Sequence, residues 1–151
     1  MDRSAMLALN EAHSIETSPL DSGQLHALLD QAFHIGLRGA GRDAFLIAFD
    51  QDAASASPNF LWFKSRYPRF VYIDRVIVAP RMRGLGLARN LYQELFEAAA
   101  CAGHAMIGCE VNLQPPNPGS DAFHEALGFG EVGRAAILDG RKVVRYLART
   151  I

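Results

Sequence analysis

One stretch constrains what this chain can fold into more than any other: Val76-Ile77-Val78-Ala79-Pro80-Arg81-Met82-Arg83-Gly84-Leu85-Gly86-Leu87-Ala88. A β-branched apolar run stops at a proline, a basic glycine-rich turn follows, and a helical pattern starts at once. Pro80 cannot donate to a sheet ladder and biases Ala79 toward extended geometry, so a strand ends there. Gly84 and Gly86 allow a tight bend and a close ligand approach where a Cβ would interfere. Leu85 to Ala102 reads as helix. The free N–H groups of its first turn, together with its dipole, form an anion site, and Arg81 and Arg83 add positive charge beside it.

The cradle is not a nucleoside-triphosphate P-loop, because G-x-x-x-x-G-K-(S/T) is absent, and G-x-G-x-x-G fails as well. What stands is Arg81-x-x-Gly84-x-Gly86. At 151 residues the chain predicts one domain with a single core. A net charge of −1 argues against a nucleic-acid or membrane-surface partner held by bulk electrostatics. Cys101 and Cys109 show no metal-ligand spacing, and Cys109 is expected to be a buried, inert thiol. The amino terminus has too few apolar residues for a signal peptide or a span, so a soluble cytoplasmic protein is expected.

Along the chain, Met6 to Leu9 is expected as a first strand. Ser18 followed by Pro19 reads as a helix start, and Leu25, Leu28, Leu29 and Ala32 mark that helix's buried face. Gly36, Gly39 and Gly41 break the pattern. Ala44 to Phe49 is a strand apolar throughout, as in the middle of a sheet. Asn59 to Tyr67 is dense in aromatics, and its secondary structure is not decided by pattern. Phe70 to Val78 is the long strand feeding the cradle. In the helix after it, Leu85, Ala88, Leu91, Tyr92, Leu95 and Ala99 form the predicted buried stripe, and Gly103 ends it. Ala105 to Val111 is another strand. Asn117-Pro118 opens a short helix that stops at Gly128, and Asp139-Gly140 turns a final hairpin. The expected fold is α/β with a mixed sheet of about six to seven strands flanked by helices.

Two motifs carry a resemblance. Arg81-x-x-Gly84-x-Gly86 resembles the acetyl-CoA pyrophosphate motif, (R/Q)-x-x-G-x-(G/A), of the GNAT N-acetyltransferases. Asn117-Pro-Gly-Ser120-Asp-Ala-Phe123-His124-Glu-Ala-Leu127-Gly128-Phe129 is similar to the same family's N-x-x-A-x-x-(L/F)-Y-x-x-x-G-F. In the family's order, the two span about two-fifths of the chain, Phe70 to Gly130. The resemblance implies an acetyl-CoA-dependent N-acetyltransferase acting on a small-molecule or peptide amine, with no metal and with a homodimer allowed. It implies that the cofactor is held by Val76, Ile77, Val78, Arg81, Met82, Arg83, Gly84, Leu85, Gly86, Leu87, Ala88, Asn117, Ser120 and Phe123. Backbone N–H groups near Val76 to Val78 would stabilise the electrophile.

One departure matters. His124 stands where most of the family has the tyrosine that protonates the departing thiolate. Ser120, Phe123, His124 and Leu127 share a helix face. An imidazole there could be the general acid, a donor that orients the ligand, or a satisfied core histidine. Candidates for the general base are Asp74, Tyr72 and Glu110. Asp74 and Tyr72 share a strand face by the two-residue period, with Arg75 expected on the other, and a salt bridge for Asp74 is the alternative to catalysis. Glu110, an acid in an apolar strand, needs a partner, which is either the acceptor amine or a protein cation. Phe60 and Trp62 read as core by default and as an acceptor-site wall by the resemblance, and Asn112 is expected in the same cleft. His13, His26, His34 and His104 read as surface or satisfied core. Two other classes compete: a non-catalytic acyl-CoA-binding or sensing module, and a homodimeric interaction domain without ligand.

Overall fold

The strand β2 (Ala44–Asp50) runs through the centre of the molecule. In the computed structural model, which describes residues 1–14 and 17–151, its side chains split cleanly between two layers. Phe45, Ile47 and Phe49 enter one core while Ala44, Leu46 and Ala48 enter another, all at 0% exposure. That two-sided burial is what a continuous apolar run predicts. Around it the chain adds β1 (His34–Arg38), β3 (Val71–Val78), β4 (Met106–Gln114), β5 (Gly130–Ile137) and β6 (Lys142–Thr150). The order is β1-β2-β3-β4-β6-β5, antiparallel except for β3 beside β4. The helices α1 (Arg3–Ala12), α2 (Ser22–Gln31) and α3 (Pro58–Lys64) cover one face. The helices α4 (Leu87–Cys101) and α5 (Pro118–Ala126) cover the other. Among the described residues no helix is long and apolar enough to cross a membrane.

Several local expectations are corrected. Met6 to Leu9 is helical, not a strand: Asp2 caps α1 by accepting from the Ala5 N–H, and Met6, Leu9 and Asn10 form the buried face at helical spacing. The next helix starts at Asp21 rather than Ser18, because Asp21 and Gln24 form a reciprocal capping box. Ser18 is engaged elsewhere, as shown below. Residues 34–38 form a strand despite Gly36, whose missing side chain lets α4 approach; a Cβ there would lie 2.8 Å from Leu91 Cδ2. The aromatic stretch before β3 is helical, and α4 begins at Leu87, which leaves Leu85 63% exposed and outside the buried stripe. The final turn takes four residues, 138–141, with Leu138, Asp139 and Gly140 all at positive φ. Cys109 is buried and Cys101 exposed, both as free thiols.

Two features of β3 shape the site. Its register against β2 steps from Arg75↔Ile47 to Ile73↔Ala48, so Asp74 is an extra, bulged residue. A bulge shifts alternation by one, which puts Arg75 and Ile77 on the same side as Tyr72; the expectation that Arg75 faces the other way is overturned. In addition, β3 pairs with β4 only at Val71↔Ile107 and Tyr72↔Gly108. Beyond these pairs the two strands diverge and leave a cleft between them.

Candidate active site

At one mouth of the cleft is the glycine-rich turn. Gly84 and Gly86 sit at φ 79° and 77°, in the left-handed region that suits glycine. A Cβ on either would meet nothing within 4 Å, so both positions open onto the space in front of the turn. Gly86 caps α4, and the first helical bond runs from the Asn90 N–H to the Gly86 carbonyl. The N–H groups before it are unpaired by helix geometry and point at that space. A cavity of about 310 Å3 lies there, lined by Val78, Met82, Arg83, Leu87, Arg89 and Phe123 with the two glycines. A diphosphate with a slender, partly apolar arm fits this chemistry.

Arg81 does not line that cavity. Its Nη2 donates to Asp43 Oδ1 at 2.6 Å and to the Arg42 carbonyl at 3.3 Å, which ties the turn to the β1–β2 loop. The cationic side chains at the cradle are Arg83 and Arg89. Arg89 was absent from the sequence-derived set, although its place in the first turn of α4 was a signal for an anion contact. Arg83 Nη2 donates to His13 Nε2 at 2.9 Å, and His13 Nδ1–H donates to the Leu9 carbonyl, so α1 helps to aim it.

Further in, the cleft is lined by β3, β4 and α5. The Ala79 N–H donates to the Asp43 carbonyl at 2.8 Å, which fixes the direction of alternation along β3. The Ile77 N–H therefore points to β2, whereas those of Val76 and Val78 point into the cleft. Asn117 caps α5 by accepting from the Ser120 N–H at 3.2 Å, and it lines the cleft with Ser120, Asn112 and His124.

His124 is 5% exposed. Its Nδ1 lies 2.7 Å from the Ser120 carbonyl oxygen, which can only accept, so Nδ1 carries the proton. Nε2 then accepts from the Tyr92 hydroxyl at 2.8 Å. Burial pushes His124 below the ordinary histidine range, opposed by the Ser120 hydrogen bond. Burial pushes Tyr92 well above the ordinary phenol range, with Cys109 and Glu110 adding to it. Neither nitrogen of His124 is free to meet a ligand; the group it supports is Tyr92, which also lines the cleft. Sequence reasoning had placed Tyr92 in the core stripe, where a phenol tip on an apolar helix face was the signal that a polar partner was needed.

At the other mouth, the Tyr72 hydroxyl donates to Glu110 Oε2 at 2.5 Å. Burial pushes Glu110 up to about 8; the Tyr72 hydrogen bond pulls it down and the nearby Asp74 charge raises it. Asp74 is spoken for. Arg75 Nε donates to Asp74 Oδ2 at 2.7 Å, and both side chains are nearly buried. The same guanidinium donates to Asn10 Oδ1, to the Ser18 carbonyl and to Ser18 Oγ. The salt-bridge alternative for Asp74 is therefore the observed one, and it fastens α1 and the Ser18 segment over the bulge. Phe60, at 0% exposure, packs on Phe49, Phe70 and Tyr72, and Trp62 stacks on Tyr146 with centroids 4.2 Å apart. Neither lines the cleft or the cavity at this mouth, to which α3 contributes its start, Pro58 and Asn59.

The cavities adjoin one another in a row. The cradle shares Val78 and Arg83 with a neighbouring hollow, which shares Val76, Asn117 and Ser120 with the central cleft. The cleft in turn shares Thr17, Asp74, Arg75 and Glu110 with a cavity of about 510 Å3 on the far side. The bulged, splayed β3 thus lies between the glycine-rich turn and the half-buried Glu110, with adjoining cavities along it.

Residues 24–129 match the family model described as "Acetyltransferase (GNAT) family". No curated protein sequence matches the chain. Among solved structures, the chain is similar to a ribosomal-protein-alanine N-acetyltransferase from Brucella melitensis, at 20% identity and TM-score 0.72, covering 98% of this chain and 93% of that one. Ard1 from Thermoplasma volcanium is similar at 12% identity and TM-score 0.73, with coverage of 100% and 94%. A chain of the NatC complex bound to Gag peptide and CoA is similar at 13% identity and TM-score 0.71, with coverage of 98% and 89%. At these identities the likeness is one of fold.

Proposed function

The chain belongs to the GNAT family of acetyltransferases, and on that premise we propose that it transfers an acetyl group from acetyl-CoA directly to a primary amine of a small molecule or peptide. The observation that carries this reading is the row of cavities: an anion cradle at one mouth of the β3–β4 cleft and an acid with a raised pKa at the other. Acetyl-CoA supplies the activated acetyl group and a thiolate leaving group. The N–H groups of the α4 start, with Arg83 and Arg89, would hold its pyrophosphate, and the space that a Cβ at Gly84 or Gly86 would fill supports that fit. The Val76 and Val78 N–H groups are oriented to stabilise the carbonyl oxygen as it gains charge.

An amine arriving as ammonium must lose a proton before it attacks. Glu110, at about 8, is matched to that task near neutral pH, and Tyr72 orients its carboxylate. The leaving thiolate must gain a proton, and the Tyr92 hydroxyl is the donor at the cleft. His124 holds that hydroxyl by accepting from it at Nε2, and the second proton of the attacking nitrogen would restore the phenol after it has given its own to the sulfur. His124 therefore acts behind Tyr92, not in direct contact with the sulfur.

A second reading, a non-catalytic acyl-CoA-binding module of the same fold, draws on one observation: both His124 nitrogens are already engaged. Calorimetric titration with acetyl-CoA and a thiol-release assay over a panel of primary amines test both readings. The expectation is acetyl-CoA binding that Gly86→Trp abolishes, and amine-dependent turnover that Glu110→Gln lowers with little change in cofactor affinity. Tight binding without turnover on any amine favours the module; binding indifferent to Gly86→Trp refutes both.

A further inference from the structure

The cavity of about 510 Å3 beyond the cleft is lined by both an acid, Glu110, and a base, Lys142. Glu110 faces Tyr146 across the β4–β6 pairing. Along β6, Tyr146, Val144 and Lys142 share one face by the two-residue period, and Tyr146 and Val144 lie in the same core as Tyr72. Lys142 is thus on the Glu110 side of the sheet, four residues further along, or about 13 Å between backbone positions at ~3.3 Å per residue. Its ammonium is close enough to pull the Glu110 carboxyl downward in pKa.

Among the described residues, the charged groups lining this cavity are Asp74, Arg75, Glu110 and Lys142. Asp74 and Arg75 neutralise each other, and the remaining Arg75 donors go to Asn10 and Ser18. Lys142 is half-buried and lines the cavity, and among the described residues it is in none of the ion pairs. A partly desolvated ammonium that faces a cavity and, among the described residues, has no carboxylate within ion-pair distance is suited to an anion brought by a ligand. The apolar part of the wall comes from Pro19 and Pro58 and, beside Lys142, from Ile137 and Leu138, with hydroxyl and amide groups of Ser14, Thr17, Ser57 and Asn59 completing it.

We infer that the acceptor is a small molecule whose primary amine is joined through a short apolar spacer to an anionic group, with the amine at Glu110 and the anion at Lys142. This rests on the acetyltransferase reading above and narrows it. In the transfer, one ammonium proton passes to Glu110, the amine nitrogen forms a bond to the acetyl carbon, the carbon–sulfur bond breaks, and the nitrogen's second proton goes by way of Tyr92 to the sulfur, so that coenzyme A leaves as the thiol. The anionic end takes no part in the chemistry, so Lys142 is a specificity residue.

The test compares ω-amino carboxylates of increasing chain length with n-alkylamines and α,ω-diamines of equal length, using wild type and Lys142→Glu. An aminoalkyl phosphate arm separates a carboxylate from a phosphate terminus. Wild type should favour an anionic acceptor over the matching alkylamine by about tenfold or more in kcat/KM, the size of effect expected from about 1.4 kcal/mol of attraction. Lys142→Glu should reverse the order and favour the diamine. Where turnover is too slow to read, titration of the amino carboxylate into CoA-loaded protein decides: tighter binding to wild type supports the inference, and equal or absent binding overturns it. Alkylamines and amino carboxylates used equally by both proteins would overturn it while leaving the acetyltransferase reading intact. Loss of acetyl-CoA binding in wild type would overturn both.

Discussion

Replacing Tyr72 with phenylalanine removes one hydroxyl from a packed aromatic cluster and one donor from Glu110. Phe60, Phe63 and Phe70 still surround the ring, so the fold should survive. The carboxyl is held at about 8 by burial, with the Tyr72 hydrogen bond pulling the other way. A hydrogen bond to a charged group contributes about 1.5–3 kcal/mol, and a pKa unit corresponds to about 1.36 kcal/mol, so its loss should raise Glu110 by about one to two units. Glu110 is half-buried, and water reaching it can replace part of the lost bond, which favours the lower figure. With an acceptor whose ammonium titrates well below neutrality, the rising limb of kcat/KM against pH belongs to the free enzyme. In Tyr72→Phe that limb should move up by about one unit, with about a tenfold loss of kcat/KM near neutrality and a preserved plateau at high pH. Carbon-13 titration of labelled glutamates, assigned with Glu110→Gln, gives the same pKa without turnover.

The linkage has a definite sign. A carboxyl raised from 4.5 to about 8 binds more protons folded than unfolded throughout that window, so its contribution to stability falls as pH rises from 4.5 through about 8. In Tyr72→Phe the fall should continue to higher pH, read as the urea midpoint relative to Glu110→Gln across the same range. A rate limb that stays put, or moves down, would refute the assignment of Glu110 as the base and of Tyr72 as its donor.

The remaining predictions concern the cradle, the proton donor and the bulge. Arg83→Ala should weaken acetyl-CoA binding in calorimetry more than Arg81→Ala does, because Arg81 is turned toward Asp43; the exposed Arg81–Asp43 pair should contribute no more than about 1 kcal/mol to stability. Tyr92→Phe should lower kcat with little change in cofactor affinity, and His124→Ala should do the same with an added stability loss of about 1–3 kcal/mol in chemical denaturation, since it strands a buried hydroxyl. Arg75→Met should cost about 3–5 kcal/mol in the same assay, because it leaves the nearly buried Asp74 without its cation. A mild effect at Arg75 would mean that water or another group already satisfies Asp74.

Much of the framework was legible because it is local. Positive φ at Gly84 and Gly86, the proline stop before them and the helix after them are decided by sterics within a few residues. The Asn117 cap and the two-sided burial of β2 follow from equally short-range rules. Met6 to Leu9 was misread because four apolar residues do not separate a strand from one face of a helix; Asp2 and the buried Asn10 decide it. Phe60 and Trp62 were legible as core, but that they do not line the cleft depends on how α3 is set down on the sheet.

Sequence by itself determined the cradle, because a turn that exposes backbone N–H groups needs only its own residues. Tertiary structure alone decided which polar side chains meet at the cleft. Tyr72 meets Glu110 across 38 residues of chain and Tyr92 meets His124 across 32. The bulge at Asp74 exists only in the register against β2, and it turned Arg75 from the opposite face into the lock on Asp74. Which acid is left free to accept a proton depends on which acids already have partners, and those partners are set by the packing of strands and helices distant in sequence.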